Sequence, residues 1–248
     1  NENPYSSSIN WEASQTSCVV FGQSAGTASA ATALLRALTD SGLRTVGMMP
    51  VSTGDGPDRN ALEALSAAGA FALPSAAICP YVFEEEGAAA VLARQRGITL
   101  GLEDMVDTYQ ALATWSDGVV VAAPGDVQRP LGNTFCLCDL AKALHLPAVL
   151  VVDGEGRGPR DACATARALR ARSVPLAGWV AIASSHTGVS VFNDCVTRNL
   201  TASLLGTLIR SPAGQENGYV LEPADLLPGY QAHFDVTAVL AALRGPWP

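Results

Sequence analysis

The chain has 248 residues, of which 48% are hydrophobic and 15% charged, and a formal net charge of -8. That length supports one large α/β core. The acidic balance argues against nucleic acid or an anionic membrane as partner, because both need a basic face.

The opening residues, "NENPYSSSIN", are polar and lack the apolar core of a signal peptide; no later apolar run reaches membrane length. Residues 1–16 are expected to form a polar tail and 17–248 a single domain, and the start on Asn rather than Met is expected of a trimmed or partial chain. The apolar run "CVVFG" predicts a strand over 18–22, followed by a glycine turn and an alanine-rich helix over 27–40. Further strands are expected at 45–49, 119–123, 148–152 and 177–182, with a weaker one near 218–221. Helices are expected at 59–68, 86–96, 102–114, 136–145 and 160–172. Uninterrupted apolar strands alternating with helices imply a mostly parallel central sheet covered on both faces, a three-layer α/β/α arrangement. The Gly/Pro-rich segments 50–57 and 124–132 read as loops at strand carboxyl ends, where open α/β sheets bind ligands.

Six cysteines stand at 18, 79, 136, 138, 163 and 195, and only Cys136 and Cys138 are close in sequence. Without a C-x-x-C pair, reduced thiols in a cytoplasmic protein are the expectation. His145, His186 and His233 stand too far apart for a sequence-local metal site, and "SSHTG" (184–188) has no assignable acid partner or oxyanion hole. Lys142 is the single lysine. Any chemistry that needs a loop lysine is therefore checked at one position.

The segments "GLRTVGMMPVSTG" (42–54), "CPYVF" (79–83), "SDGVVVAAPGDVQRPLGNTFCLCDLA" (116–141), "LPAVLVVDGEGRG" (146–158) and "VPLAGWVA" (174–181), with the ending "FDVTAVLAAL", resemble the dethiobiotin synthetase family. The resemblance runs from about Cys18 to Leu243. It implies a P-loop NTPase fold, usually as a homodimer. It also implies an ATP- and magnesium-dependent reaction that closes a ureido ring from carbon dioxide and diaminopelargonic acid in biotin biosynthesis.

Phosphoryl transfer is largely positioning plus charge neutralisation, so the required groups are few. A P-loop presents backbone N–H groups to phosphate, sends a lysine to the terminal ones and sets a Ser/Thr hydroxyl on magnesium. Here the loop reads "GQSAGTASAAT"; anchored at Gly22, its spacing puts Thr27, Ala28 and Ser29 where Gly, Lys and Ser/Thr belong. Gly22, Gly26 and Ser29 are the remaining candidates for holding an anion, against the plainer reading of a tight strand-to-helix turn. The family's second lysine position is Met49, which donates no proton, and the metal carboxylate at the end of the "VVV" strand is Ala122. Asp58, with Asp55 and Asn60 nearby, and Asp126 are the candidate magnesium ligands, against the plainer reading of solvated loop carboxylates.

The family's adenine-reading Asn is Ile182 here, and its substrate-side segment after "CPYVF" reads "EEEGAAA", expected as an acidic helix start. On the substrate side the candidates are Thr53, Gly125, Arg157 and Arg160, with Arg129 from a facing loop; arginine binds carboxylates in bidentate fashion. Losing both lysines, the acid and the Asn removes groups that act at separate steps of one reaction. The leading expectation is a family member without ATP-dependent catalysis and with no cofactor, acting as a binding or assembly subunit. Its expected partners are itself, as a homodimer through the helix near Arg160, or a biotin-pathway protein in a hetero-assembly. Two alternatives stand beside it: a divergent active synthetase using ATP and magnesium, and a sensor of a small carboxylate ligand at Arg157 and Arg160.

Overall fold

The computed structural model describes residues 16–24, 26–128, 130–132, 134–154, 157–210 and 230–245. The first fifteen residues of the expected tail, the weak strand at 218–221 and Arg129 lie outside the described residues. Thr16, assigned by sequence to the tail, is buried, and its hydroxyl donates to the Asp117 carbonyl.

In chain order the elements are β1 (Cys18–Gly22), α1 (Thr27–Asp40), β2 (Thr45–Met48), β3 (Val51–Thr53), α2 (Pro57–Ala68), α3 (Ser75–Ile78), β4 (Tyr81–Phe83), α4 (Ala89–Gln95) and α5 (Leu102–Ala113). There follow β5 (Gly118–Pro124), α6 (Leu137–Leu144), β6 (Ala148–Asp153), α7 (Gly158–Ala171), β7 (Leu176–Ala183), α8 (His186–Leu200), β8 (Ser203–Arg210), β9 (Tyr230–Phe234) and α9 (Val236–Leu243). The main sheet runs β2-β5-β1-β6-β7-β8-β9, parallel except for β9, which pairs antiparallel with β8. Strand β1 sits between β5 and β6 with every residue buried, as an apolar run with no polar alternation requires.

The sheet's core strands fall where their apolar runs placed them, but four differences have physical causes. The segment 50–57 is not loop throughout: Val51–Thr53 pairs in parallel with Tyr81–Phe83 as a separate two-stranded sheet. The glutamates 84–86 do not begin a helix. Gly87 takes a φ of 154°, and α4 starts only at Ala89 after Ala88 as its cap. Helix α6 stops before His145, which adopts a left-handed φ of 54° as the cap residue. Finally, "SSHTG" begins α8: the Ser185 hydroxyl accepts from the Gly188 N–H at 3.1 Å, a helix-capping use of serine.

Candidate functional site

The carboxyl end of β1 is where the strands on either side turn in opposite directions through the sheet, the position at which open α/β sheets form a crevice. The loop after β5 is tied to it, since the Gly125 N–H donates to the Gly22 carbonyl at 2.8 Å. The turn from β1 into α1 is closed from within. Both the backbone N–H (3.1 Å) and the hydroxyl (2.8 Å) of Thr27 donate to the Ser24 carbonyl, and Thr27 is fully buried.

Glycine is required at Gly22 by this closure. A Cβ there would lie 2.4 Å from Thr27 Oγ1 and 2.9 Å from Val151 Cβ. At Gly26 a Cβ would lie 2.5 Å from Ile182 Cδ1 and 3.1 Å from the Tyr230 hydroxyl. The expected phosphate turn is thus occupied by a threonine below and roofed by an isoleucine and a tyrosine above. Ala28 is buried at the start of α1 and Ser29 is half-buried.

Two cavities flank this turn. The first, about 190 Å³, lies toward β6 and α7 and is lined by Gln23, Ser24, Asp153, Arg157, Asp161 and Thr165 over an apolar floor. Arg157 is the N-cap residue of α7, and Asp153 is held by Arg210 at 2.5 Å. Arg160 is exposed and does not line this cavity, so the structure does not bring the two candidate arginines together in it. Arg129 lies outside the described residues.

The second cavity, about 140 Å³, lies under the loops that follow β3 and β5. It gathers Thr53, Asp58, Ala122, Gly125 and Asp126, five of the sequence candidates, against a wall of Ala88–Ala90 and Leu131. Asp58 stands in the first turn of α2 and its Oδ2 accepts from the Thr53 hydroxyl at 3.2 Å. Asp126 is exposed, with Oδ1 accepting from the Gln128 N–H at 2.9 Å. Asp55 points away into an ion pair with Arg59 at 3.2 Å. Among the described residues, no group of three or more His, Cys, Asp or Glu side chains could hold a metal ion.

Met49 contributes nothing to either cavity. With Met48 it is buried in the core at the end of β2, as strand-end packing requires. Lys142 is exposed in the last turn of α6 and lines neither cavity. Glu85 is engaged by Arg96 at 2.5 Å, and that guanidinium holds its carboxyl below the usual range.

Several residues of this region escaped the sequence reading. Asp153 had a usable signal, being the acid that ends the apolar run "LPAVLVVD" at a strand's carboxyl end. Thr165 and Tyr230 had none, because their roles arise from α7 and β9 folding back over the crevice.

A family model described as an AAA domain matches residues 19–211. The ATP-dependent dethiobiotin synthetase of Ralstonia nicotianae is 37% identical over 190 residues, covering 74% of this chain and 83% of that protein. Among solved structures, the MinC–MinD cell division protein complex of Aquifex aeolicus aligns with a TM-score of 0.56 at 14% identity, over 92% of this chain and 94% of that one. The ParA-family ATPase of Chlorobium tepidum aligns with a TM-score of 0.52 at 12% identity, over 92% and 98%. At such identities these two likenesses establish the fold.

Proposed function

The chain belongs to the dethiobiotin synthetase family, and from that premise we propose that it has lost the ATP-dependent reaction its relative is named for. In this reading it serves biotin biosynthesis as a binding or assembly subunit.

One observation carries the proposal: the β1–α1 turn is filled by its own side chains. Thr27 occupies the inside and Ile182 and Tyr230 the outside, where phosphate and adenine would need room and polar partners. The residue types agree. Ala28, Met49, Ala122 and Ile182 stand at the two lysine positions, the metal carboxylate and the adenine Asn of the resemblance. ATP does not fit these residues. Arg157 is the one cation among the described lining residues of both cavities. A charge-assisted contact contributes about 1.5–3 kcal/mol, so losing two lysines weakens binding by several orders of magnitude.

Isothermal titration with magnesium–ATP, paired with a dethiobiotin formation assay, tests this. The expected result is no saturable binding at micromolar nucleotide and no turnover. Micromolar saturation abolished by Asp126→Ala would replace the proposal with the divergent enzyme. That second reading has one observation in its favour: Asp58 and Asp126 share a cavity, and magnesium prefers carboxylate oxygens.

The assembly form also has a structural bearing. The small residues of α7 that suggested close packing between protomers, Ala162 and Ala166, are buried against the chain's own core. The outward face carries Arg160 and Arg167, which make no ion pair among the described residues. A two-fold axis through this face brings like charges together, so an acidic partner suits it better than a second copy.

A further inference from the structure

The second cavity's loop runs into a thiol cluster that the family reaction does not use. Cys136 is the N-cap residue of α6, and its sulfur takes the place of a capping oxygen, accepting from the backbone N–H of Asp139. The Cys136 thiol donates to Asp139 Oδ2 at 3.1 Å, and the backbone N–H of Cys136 donates to the same oxygen at 2.9 Å. Arg172 pairs with the other oxygen of Asp139 and places Nη1 3.8 Å from Cys136 Sγ. Cys138, one residue into the same helix turn, lies within hydrogen-bonding reach of the Cys136 side chain. Neither cysteine is in a disulfide.

We propose that Cys136 and Cys138 form a peroxide-responsive dithiol site, in which Cys136 is the attacking sulfur and Cys138 the resolving one. The arrangement separates the two roles. A helix N-terminus and a guanidinium both favour a thiolate at Cys136, and the Asp139 carboxylate is the acceptor already in contact with its proton. Burial pushes the Asp139 carboxyl up, but the donors from Cys136 and Arg172 outweigh it and keep the group ionised. Cys138 is pushed up to about 12 by burial, so it keeps its proton until a partner sulfur is presented. Cys136 is 5% exposed, which limits the oxidant to something small.

The steps balance. The Cys136 thiolate attacks one oxygen of a hydroperoxide, the O–O bond breaks, and the leaving oxygen departs as water or alcohol after taking a proton. Cys136 is then a sulfenic acid. Cys138 sulfur attacks it, the S–O bond breaks, and the hydroxyl leaves as water with the Cys138 proton. Two thiols are oxidised to one disulfide while one peroxide is reduced.

The consequence reaches the ligand cavity. Cys136 bridges to Pro130, and Leu131 donates its backbone N–H to the Phe135 carbonyl, so the strap that closes onto the cysteine also supplies Pro130 and Leu131 to the cavity wall. Oxidation withdraws the thiol donor from Asp139 and re-sets this strap.

The test treats the reduced protein with micromolar hydrogen peroxide, alkylates remaining thiols and reads the peptides by mass. The expected result is a peptide containing Cys136 and Cys138 that has lost two hydrogens and regains them with dithiothreitol. Cys138→Ser is expected to stop at a dimedone-trapped sulfenic acid on Cys136, while Cys136→Ser leaves Cys138 unoxidised. Arg172→Gln is expected to slow the first step by about tenfold, the effect of one pH unit in thiolate availability. The exposed Cys195 is the internal reference. Peptides that keep both thiols while Cys195 oxidises would overturn the proposal. So would oxidation of Cys136 in Cys138→Ser that is no faster than that of Cys195, with unchanged circular dichroism showing the variant folded.

Discussion

The two sides of the crevice have departed from nucleotide chemistry by different routes. At the β1–α1 turn the space itself is gone: Thr27, Ile182 and Tyr230 occupy it, and glycine survives at 22 and 26 because nothing larger fits. Under the β3 and β5 loops the space remains at about 140 Å³, with two carboxylates on its rim, while the decisive side chain has been cut back to Ala122. Filling and truncation have unlike consequences. A truncated site keeps a cavity that another ligand can enter, whereas a filled one has become part of the core.

The sharpest way to break this contrast is Ala122→Glu, which returns a carboxylate to a fully buried position on β5. A carboxyl in that setting has its pKa raised. The cost is therefore absent below the ordinary glutamate range and grows as pH rises toward 7, where it reaches about 3 kcal/mol. Urea unfolding at pH 4 and pH 7 reads the difference. Full stability at pH 7, or a magnesium-dependent rise in Tm, would mean that the truncated side still accommodates charge.

A smaller effect is expected on the filled side. Gly26 has an ordinary φ of -77°, so Gly26→Val tests sterics alone, and overpacking against Ile182 is expected to lower stability by about 1–3 kcal/mol. Ile182→Ala in the same chain should recover part of that loss in a double-mutant cycle. Additive effects would show that the turn has room to relax, and the word filled would not apply.

The smallest effect comes from the opposite end of the sheet and serves as the baseline. Arg44 holds Asp117 by side-chain and backbone hydrogen bonds and keeps its carboxyl below the usual range. A depressed acid contributes stability above its unfolded value and loses it as pH falls through the folded one. Asp117→Asn should flatten the acid limb of the stability curve, with no change near neutral pH in its slope and none in the behaviour of either cavity.

Much of the fold was legible because β1, β5, β6 and β7 are buried on both faces and read as continuous apolar runs. The last third was harder. Helix α8, "HTGVSVFNDCVTRNL", mixes β-branched, glycine and amide residues without a regular apolar stripe, and it holds its helix by packing on β7 and β8. Strand β9, "YQAHF", is an edge strand with three exposed residues, so it offers no apolar run to detect. At the site, residue types revealed which family groups are missing, since a methionine or an alanine has no substitute chemistry to offer. The gathering of Thr53, Asp58 and Asp126 was not legible. It depends on the turn after β5 and on the β3–β4 pair, whose strands of three residues each are too short for any periodicity.

The roof over Gly26 also sets an order of events in folding. Its tyrosine comes from β9, which joins the sheet through β8, while the glycine it covers follows β1, the first strand. That contact closes nearly the whole chain, and loops of such length form late because their closure is entropically costly before neighbouring strands are in place. On a ribosome, the β1–α1 turn would emerge early and stand uncovered until β9 has been made and has docked. During synthesis the protein therefore passes through a stage in which the sealed turn is open, and whatever binds there does so only once in the life of the chain.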